Sequence, residues 1–235
     1  MDLKAIFEEG DKYFLPNLSI DVVVIGYDGQ LKFLLMKNNN SWNIPGGYIG
    51  RSESVKDASS RILKELTGLY VDNLKLLSVF GDAHRNFGDQ FKLLAEQNGV
   101  KWNPNNWLNS RFVSLVHYVM LNIEDVIIEG NDFYDEICWV SIENLVDMNL
   151  DHHEIISSTL SQLRTDINEG KTCHELLSNP FTMPQLHQLH QVILQREIDR
   201  SRFQKRMIKG GKFRRLPQSK TPSRGRNPYL YTPIH

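Results

Sequence analysis

The side chains able to do chemistry gather in two stretches of the chain. The first follows Trp42-Asn43-Ile44-Pro45-Gly46-Gly47, a strand end that passes into a glycine turn. Glu53 stands just ahead of a helix that carries Arg61 and Glu65. Carboxylates beside such a turn are the groups that would hold a divalent cation. Magnesium asks for near-octahedral oxygen ligands and several charges to neutralise it, so two acids make a poor site. Glu53 with Arg61 reads more simply as an ion pair that fixes loop to helix. Trp42 is the tryptophan best placed as a ligand platform, since it precedes the turn; Trp102, Trp107 and Trp139 read as core or loop anchors. Arg85 and Arg111 can meet a phosphate or a sugar hydroxyl, or pair at the surface. No Ser/His/Asp nucleophile arrangement can be read, and no catalytic residue is assigned. His187 and His190 lie three apart on a helix with no cysteine or further histidine at ligand spacing, so they read as a solvated or phosphate-facing surface rather than a metal pair. His152 and His153 fall at a helix start. No metal and no cofactor is expected.

The second stretch is basic. The net charge of -1 conceals a strong polarity: Pro180 to His235 holds 12 Lys/Arg against 2 Asp/Glu, while the preceding 179 residues hold 15 against 26. Such a chain carries a region suited to a polyanion. Hydrophobic content of 40% and charged content of 23% allow a sizeable core and argue against general disorder. Cys138 and Cys173 are far apart and form no CxxC pattern, which fits a reducing compartment. The N-terminal MDLKAIFEEGDKYF is acidic and amphipathic, unlike a signal peptide, and no apolar run nears the ~20 residues of a membrane helix. A cytoplasmic protein is expected.

The elements that must position these groups follow from pattern. Residues 3–14 form a short helical or extended lead-in. Leu18 to Gly26 and Leu31 to Lys37 make a hairpin about Asp28-Gly29. Ser54 to Thr67 is a helix with Val55, Ala58, Ile62 and Leu66 on its packed face, stopped by Gly68. Leu74 to Phe80, Phe112 to Asn122 and Glu136 to Val140 are strands, with a short helix from Ile142 to Met148. Residues 88–110 read as a long polar loop, functional or mobile. Asp151 opens a further helix, with Glu154 as capping-box partner and Ile156, Leu160, Leu163 and Ile167 on one face. Thr182 caps the next helix, with Pro184 in its first turn, Gln185 closing a capping box and Phe181 as staple. Asp199 caps a basic helix, RSRFQKRMIK, whose Phe203 and Met207 point inward, joined by Ile198 and Ile208. Gly210-Gly211 stops it. Phe213 to Leu216 and Tyr229 to Thr232 pair as strands about the basic tip PQSKTPSRGRNP. Two helices about a tight turn, the second basic, followed by such a hairpin, is a winged helix-turn-helix.

The segment GYIGRSESVKDASSRILKELTGL resembles the Nudix box, G-x5-E-x7-R-E-U-x-E-E-x-G-U with U apolar, at Gly47, Glu53, Arg61, Leu63, Glu65, Gly68 and Leu69. Two positions depart from it: the RE pair is Arg61-Ile62 and the EE pair is Glu65-Leu66. In Nudix hydrolases those helix glutamates bind the divalent metals, so the resemblance implies a retained scaffold with its chemistry removed. Together with FTMPQLHQLHQVILQREIDRSRFQKRM, the chain is similar to the Nudix-related transcriptional regulators of the NrtR/AraR type. That resemblance implies an α+β protein: a Nudix-like α/β/α sandwich with a mixed sheet, followed by a winged helix-turn-helix domain. The expected division is a ligand-sensing domain at 1–150, a helical linker at 151–172 and a DNA-binding domain at 173–235.

The resemblance further implies a homodimer on a palindromic double-stranded operator, released when an effector binds, with ADP-ribose or a pentose such as L-arabinose as the effector. Trp42, Gly46, Gly47, Glu53, Glu65, Arg85 and Arg111 are the expected ligand-binding residues. Arg200, Ser201, Arg202, Gln204 and Lys205 are expected to meet DNA, with Lys209, Lys212, Arg214 and Arg215 on the backbone and Arg224 and Arg226 in the wing. The insertion at 88–110 departs from the family's compact loop. The expected function is a ligand-responsive repressor or activator that binds its effector without hydrolysing it. The alternative is a Nudix hydrolase of ADP-ribose or nucleotide sugars with an atypical metal site drawn from Glu53, Glu65 and Glu96. A third reading is an RNA-binding or scaffold protein that grips nucleic acid without sequence preference.

Overall fold

The computed structural model describes residues 3–38, 41–72, 74–128, 134–145, 148–218 and 227–234. Contacts divide the chain into two units: Met1–Val24, Phe33–Val119 and Ile127–Thr159 in one, and Ile25–Lys32, Met120–Val126 and Leu160–His235 in the other.

The first elements in chain order are α1 (Leu3–Tyr13), β1 (Phe14–Tyr27), β2 (Leu31–Asn38), β3 (Ser41–Asn43), β4 (Gly46–Gly50), α2 (Val55–Thr67), β5 (Lys75–Phe80), α3 (Gly88–Gln97), β6 (Val113–Met120), β7 (Glu136–Ser141) and α4 (His152–Asn168). The sheet runs β3-β2-β1-β6-β5, with β4 also paired to β1 and β7 to β2. Val22 to Ile25 and Phe33 to Met36 have no exposed surface, so these runs are buried continuously rather than alternately. Gly29 takes the positive φ, 102°, that the hairpin turn between them needs.

α2 begins where Ser54 Oγ accepts the Asp57 N–H at 3.1 Å. It ends at Gly68, whose φ of 76° turns the chain into the left-handed region. Its buried face is Ala58, Ser59, Ile62, Leu63 and Thr67. The expected face is corrected at both ends: Val55 is exposed and Leu66 only half-buried, because the face tracks Leu63 instead.

Residues 88–110 are not one loop. Gly88–Gln97 is helical, and Phe91, Leu94 and Ala95 form a short apolar stripe that the surrounding Gly and Asn residues hide in the sequence. This helix and the segment after it build a second core of Phe7, Ala95, Val100, Leu108 and Phe112 under α1. Among the described residues of the helix expected from Ile142 to Met148, a single turn of 3-10 helix forms, Ile142–Asn144; residues 146 and 147 lie outside them.

Four of the apolar positions of α4 that periodicity picks out, Ile156, Leu160, Leu163 and Ile167, are buried. Its start differs from expectation. Asp151 is held by Arg85 rather than closing a capping box with Glu154, because a buried guanidinium demands a carboxylate.

The remaining elements are β8 (Phe181–Thr182), α5 (Met183–Leu194), α6 (Arg200–Lys209), β9 (Phe213–Gln218) and β10 (Tyr229–Pro233). The three strands form a sheet in the order β8-β10-β9. Thr182 and Gln185 form the full capping box of α5. α5 ends at Gln195 in the left-handed region, φ 50°, which makes the tight turn towards α6. Asp199 caps α6 by accepting the Arg202 N–H at 2.7 Å. Leu186, Leu189 and Ile193 of α5 and Phe203 and Met207 of α6 are buried. Ile208 is corrected: it is 53% exposed, since the buried stripe of a ten-residue helix has room for 203 and 207 alone.

Candidate functional site

The glycine turn and α2 are joined by a closed set of polar contacts. A side chain at Gly47 would press on Ile62, whose Cγ1 lies 3.1 Å from the position a Cβ would take. Gly50 N–H donates to Glu53 Oε1 at 2.6 Å. Arg61 forks onto both Glu53 oxygens, at 2.6 and 2.9 Å. It also donates to the Tyr48 carbonyl at 2.9 Å and to Glu65 at 3.0 Å. The Arg61 hydrogen bond holds the Glu53 carboxyl below its ordinary range against the opposing effect of burial. Glu53 and Glu65 therefore serve one arginine, while Ile62 is buried and the neighbouring Leu66 is aliphatic. Among the described residues no group of three His, Cys, Asp or Glu side chains could hold a metal ion. This donor set, two carboxylates committed to one arginine beside two aliphatic residues, does not fit a divalent-metal centre.

Behind the same turn lies a buried charge cluster that the sequence reading missed. Arg85 is 4% exposed. Its guanidinium grips Asp151 at 2.6 and 3.1 Å, donates to the Phe112 carbonyl at 3.2 Å and reaches Asp21 at 3.5 Å. Asp21 also accepts from Ser114 Oγ, and His152 Nε2 faces it at 3.7 Å. The Ile44 N–H donates to His152 Nδ1 at 3.3 Å, so the ring proton sits on Nε2, towards Asp21. Burial alone would raise the Asp21 carboxyl, yet the His152 and Ser114 contacts and the Arg85 charge bring it below its usual value. Gly46 is required here: a Cβ at that position would lie 2.4 Å from Asp21 Oδ1. The expected surface role of Arg85 is thereby corrected, because its donors are engaged inside the fold. Asp21, alone among Ile20 and Val22–Ile25, was the available signal, since a carboxylate in a buried strand needs a partner.

The other expected ligand residues are scattered. Trp42 is half-buried with Lys37 Nζ 5.6 Å from its ring, and its carbonyl accepts the Asn149 N–H. Arg111 is exposed and donates to the Gly81 carbonyl. The segment at 88–110 wraps α1: Trp107 Nε1 donates to the Ile6 carbonyl at 2.9 Å and Asn106 to the Phe7 carbonyl at 2.8 Å. Gly10 makes this possible, since a Cβ there would stand 2.4 Å from the indole. Trp107 also packs edge-on against Tyr48, with ring centroids 4.7 Å apart. Burial pushes the Tyr48 hydroxyl far above its ordinary pKa, so it stays protonated.

The basic helix presents an open surface. Arg200, Ser201, Arg202, Gln204, Lys205, Arg206 and Lys209 are all exposed, while Phe203 and Met207 face inward. Arg206 is an addition to the expected set; its guanidinium lies 5.7 Å from the Phe203 ring. On the hairpin, Arg214 and Arg215 are exposed, and Arg215 stacks on Tyr229 at 3.3 Å from the ring centroid. Lys212 Nζ donates to the Gly170 carbonyl at 2.7 Å. Arg224 and Arg226 lie outside the described residues. His187 and His190 are not solvated as expected: His190 is fully buried and His187 partly so, because both rings pack on Phe203.

A family model described as the NUDIX domain matches residues 16–161. A second, the NrtR DNA-binding winged helix domain, matches residues 173–232. A curated relative, the ADPR responsive transcriptional repressor NtrR of Acinetobacter baylyi, is 23% identical over 228 residues, covering 92% of this chain and 81% of the relative. The crystal structure of Shewanella oneidensis NrtR superposes with a TM-score of 0.70 at 22% identity, covering 93% of this chain and 94% of that one. The same protein complexed with a 27mer DNA gives 0.68 at 22% identity, covering 92% and 93%. At these identities the likeness establishes a shared fold.

Proposed function

This chain belongs to the Nudix domain family and carries an NrtR-type DNA-binding winged helix domain, and from that premise we propose that it is a ligand-responsive transcriptional regulator. Residues 1–150 sense the effector, 151–172 link, and 173–235 bind a double-stranded operator. Two copies reading a palindrome would place two basic helices in successive major grooves. The observation that carries the reading is α6: five cations and no carboxylate on a helix anchored by Phe203 and Met207 and capped by Asp199. Such a surface is costly to leave facing itself and suits phosphate and base edges. The complex of Shewanella oneidensis NrtR with a 27mer DNA supports DNA as the partner.

The effector domain binds without cleaving. Ile62 is buried at the turn and Glu53 is occupied by Arg61 and Gly50, so the acids that would activate water are missing or committed. The ADPR responsive relative favours ADP-ribose as effector over a pentose such as L-arabinose. The ligand-facing candidates are Trp42, Arg111 and the backbone of Gly46 and Gly47.

Binding of the full-length chain to duplex DNA across salt concentrations tests the reading. Log affinity should fall linearly with log salt, by about 0.9 for each phosphate neutralised. Lys205→Ala should lessen that slope by about one if the lysine contacts phosphate, or cost ~1–3 kcal/mol at one base position if it reads a base edge. Binding indifferent to both salt and this substitution removes α6 from the interface. ADP-ribose at a hundredfold excess over its Kd should add about 2.7 kcal/mol to stability. Magnesium-dependent turnover of ADP-ribose at ordinary enzyme rates would favour the hydrolase instead.

A further inference from the structure

α5 meets α6 through directed polar grips as well as apolar packing. His187 and His190, three residues apart, both turn their rings edge-on to Phe203, with centroids 5.1 and 5.0 Å away. Each ring also fixes a carbonyl. His187 Nε2 lies 2.7 Å from the Ile198 carbonyl and His190 Nε2 lies 2.8 Å from that of Thr172. A carbonyl only accepts, so both rings carry their proton on Nε2. One helical turn after His187, Gln191 Oε1 accepts the Ile198 N–H at 3.0 Å.

Ile198 is therefore held at both polar groups of its backbone, by two side chains of α5. It immediately precedes Asp199, the cap of α6. Burial of Phe203 and Met207 would keep α6 attached to α5, but apolar contact is non-directional and leaves rotation about the helix axis loosely set. Hydrogen bonds at the N–H and C=O of the entering residue fix both the height and the azimuth of the first turn. That azimuth decides which way Arg200, Ser201 and Gln204 point.

We propose that His187 and Gln191, with His190 behind them, are positioning residues that set the rotation of the basic helix and so its discrimination among DNA sequences. The proposal rests on the DNA-binding reading above and adds to it residues that touch no DNA.

The test uses the full-length chain, a duplex selected by it from a randomised library, and mixed-sequence duplex as the non-specific competitor. His187→Ala and Gln191→Leu should each reduce the ratio of selected to mixed-sequence affinity by about tenfold or more, the equivalent of one lost base contact. Mixed-sequence affinity and its salt slope should stay as in the wild type, since the cations remain. His187→Gln keeps an amide donor near the Nε2 position and should recover most of the discrimination. Gln191→Leu, at a partly exposed site, serves if His187→Ala fails to fold. Variants that discriminate like the wild type, or that lose selected and mixed-sequence affinity in equal measure, overturn the proposal. A wild-type chain that selects no sequence overturns the DNA-binding reading, and this proposal with it.

Discussion

Arginine is used in opposite ways in the two units of this chain. In the Nudix unit, Arg61 and Arg85 are each enclosed by two carboxylates and a carbonyl. In α6, Arg200, Arg202 and Arg206 stand exposed with no recorded ion pair among the described residues. Enclosed cations have their electrostatic partner inside the fold and serve architecture. Exposed cations of one sign repel one another and gain only when a polyanion arrives. The contrast teaches that a count of basic residues says little until each is assigned a partner. The same residue type marks a brace in one unit and a binding face in the other.

The comparison breaks first at Arg85. Arg85→Met removes the cation that buried Asp21 and partly buried Asp151 share, so unfolding free energy should fall by about 3–5 kcal/mol. Chemical denaturation measures this; a loss under about 1 kcal/mol would mean that water reaches the cluster. A double variant, Arg85→Met with Asp151→Leu, should recover part of the loss.

His190 sharpens the comparison through pH. Burial lowers its pKa to about 4, the Thr172 carbonyl opposes this, and the charges of Arg206 and His187 add to it. The folded ring thus stays neutral where the unfolded one, near its ordinary 6.5, takes a proton. The stabilising contribution is complete above pH 6.5 and is lost as pH falls towards 4, by roughly 3 kcal/mol in total. Urea midpoints of the wild type and His190→Gln over this range should converge as the solution is acidified. Parallel curves would show that His190 does not titrate differently on folding.

The smallest effect is expected at Glu53. Glu53→Gln leaves the loop in place but replaces a charge-assisted fork with a neutral contact, a loss of about 1–2 kcal/mol in unfolding free energy. Its thermal midpoint should be indifferent to added magnesium; stabilisation by magnesium in the wild type that the variant lacks would restore a metal role to this carboxylate.

Much of the local structure was legible. Caps announce themselves within three or four residues, and Thr182 with Gln185, Asp199 and Gly68 all act where pattern placed them. The hairpin about Gly29 and the inward stripe of Phe203 and Met207 are equally local signals. The Arg85 cluster was not legible because its members lie 64 and 66 residues apart, and no short window contains the pair. Asp151 misled for the same reason: a helix-start aspartate looks like a cap until a distant guanidinium claims it. The two histidines of α5 were misplaced because a polar ring on a helix face looks solvated unless the opposing aromatic, Phe203, is known. The helix within residues 88–110 was hidden by its Asn and Gly neighbours, whose weak helix propensity the tertiary contacts to Phe7 and Phe112 override.

The notch at Gly10 binds two distant stretches of the gene into one inheritable piece. An indole laid across the first helix leaves no room for even a methyl group there, so any drift at residue 10 must wait for Trp107 to change, and trimming the segment that carries it would strip the helix of its cover. Homologues with a smaller residue in place of Trp107 should tolerate a side chain at position 10, so the freedom of that position to vary becomes a readable trace of whether the indole is there.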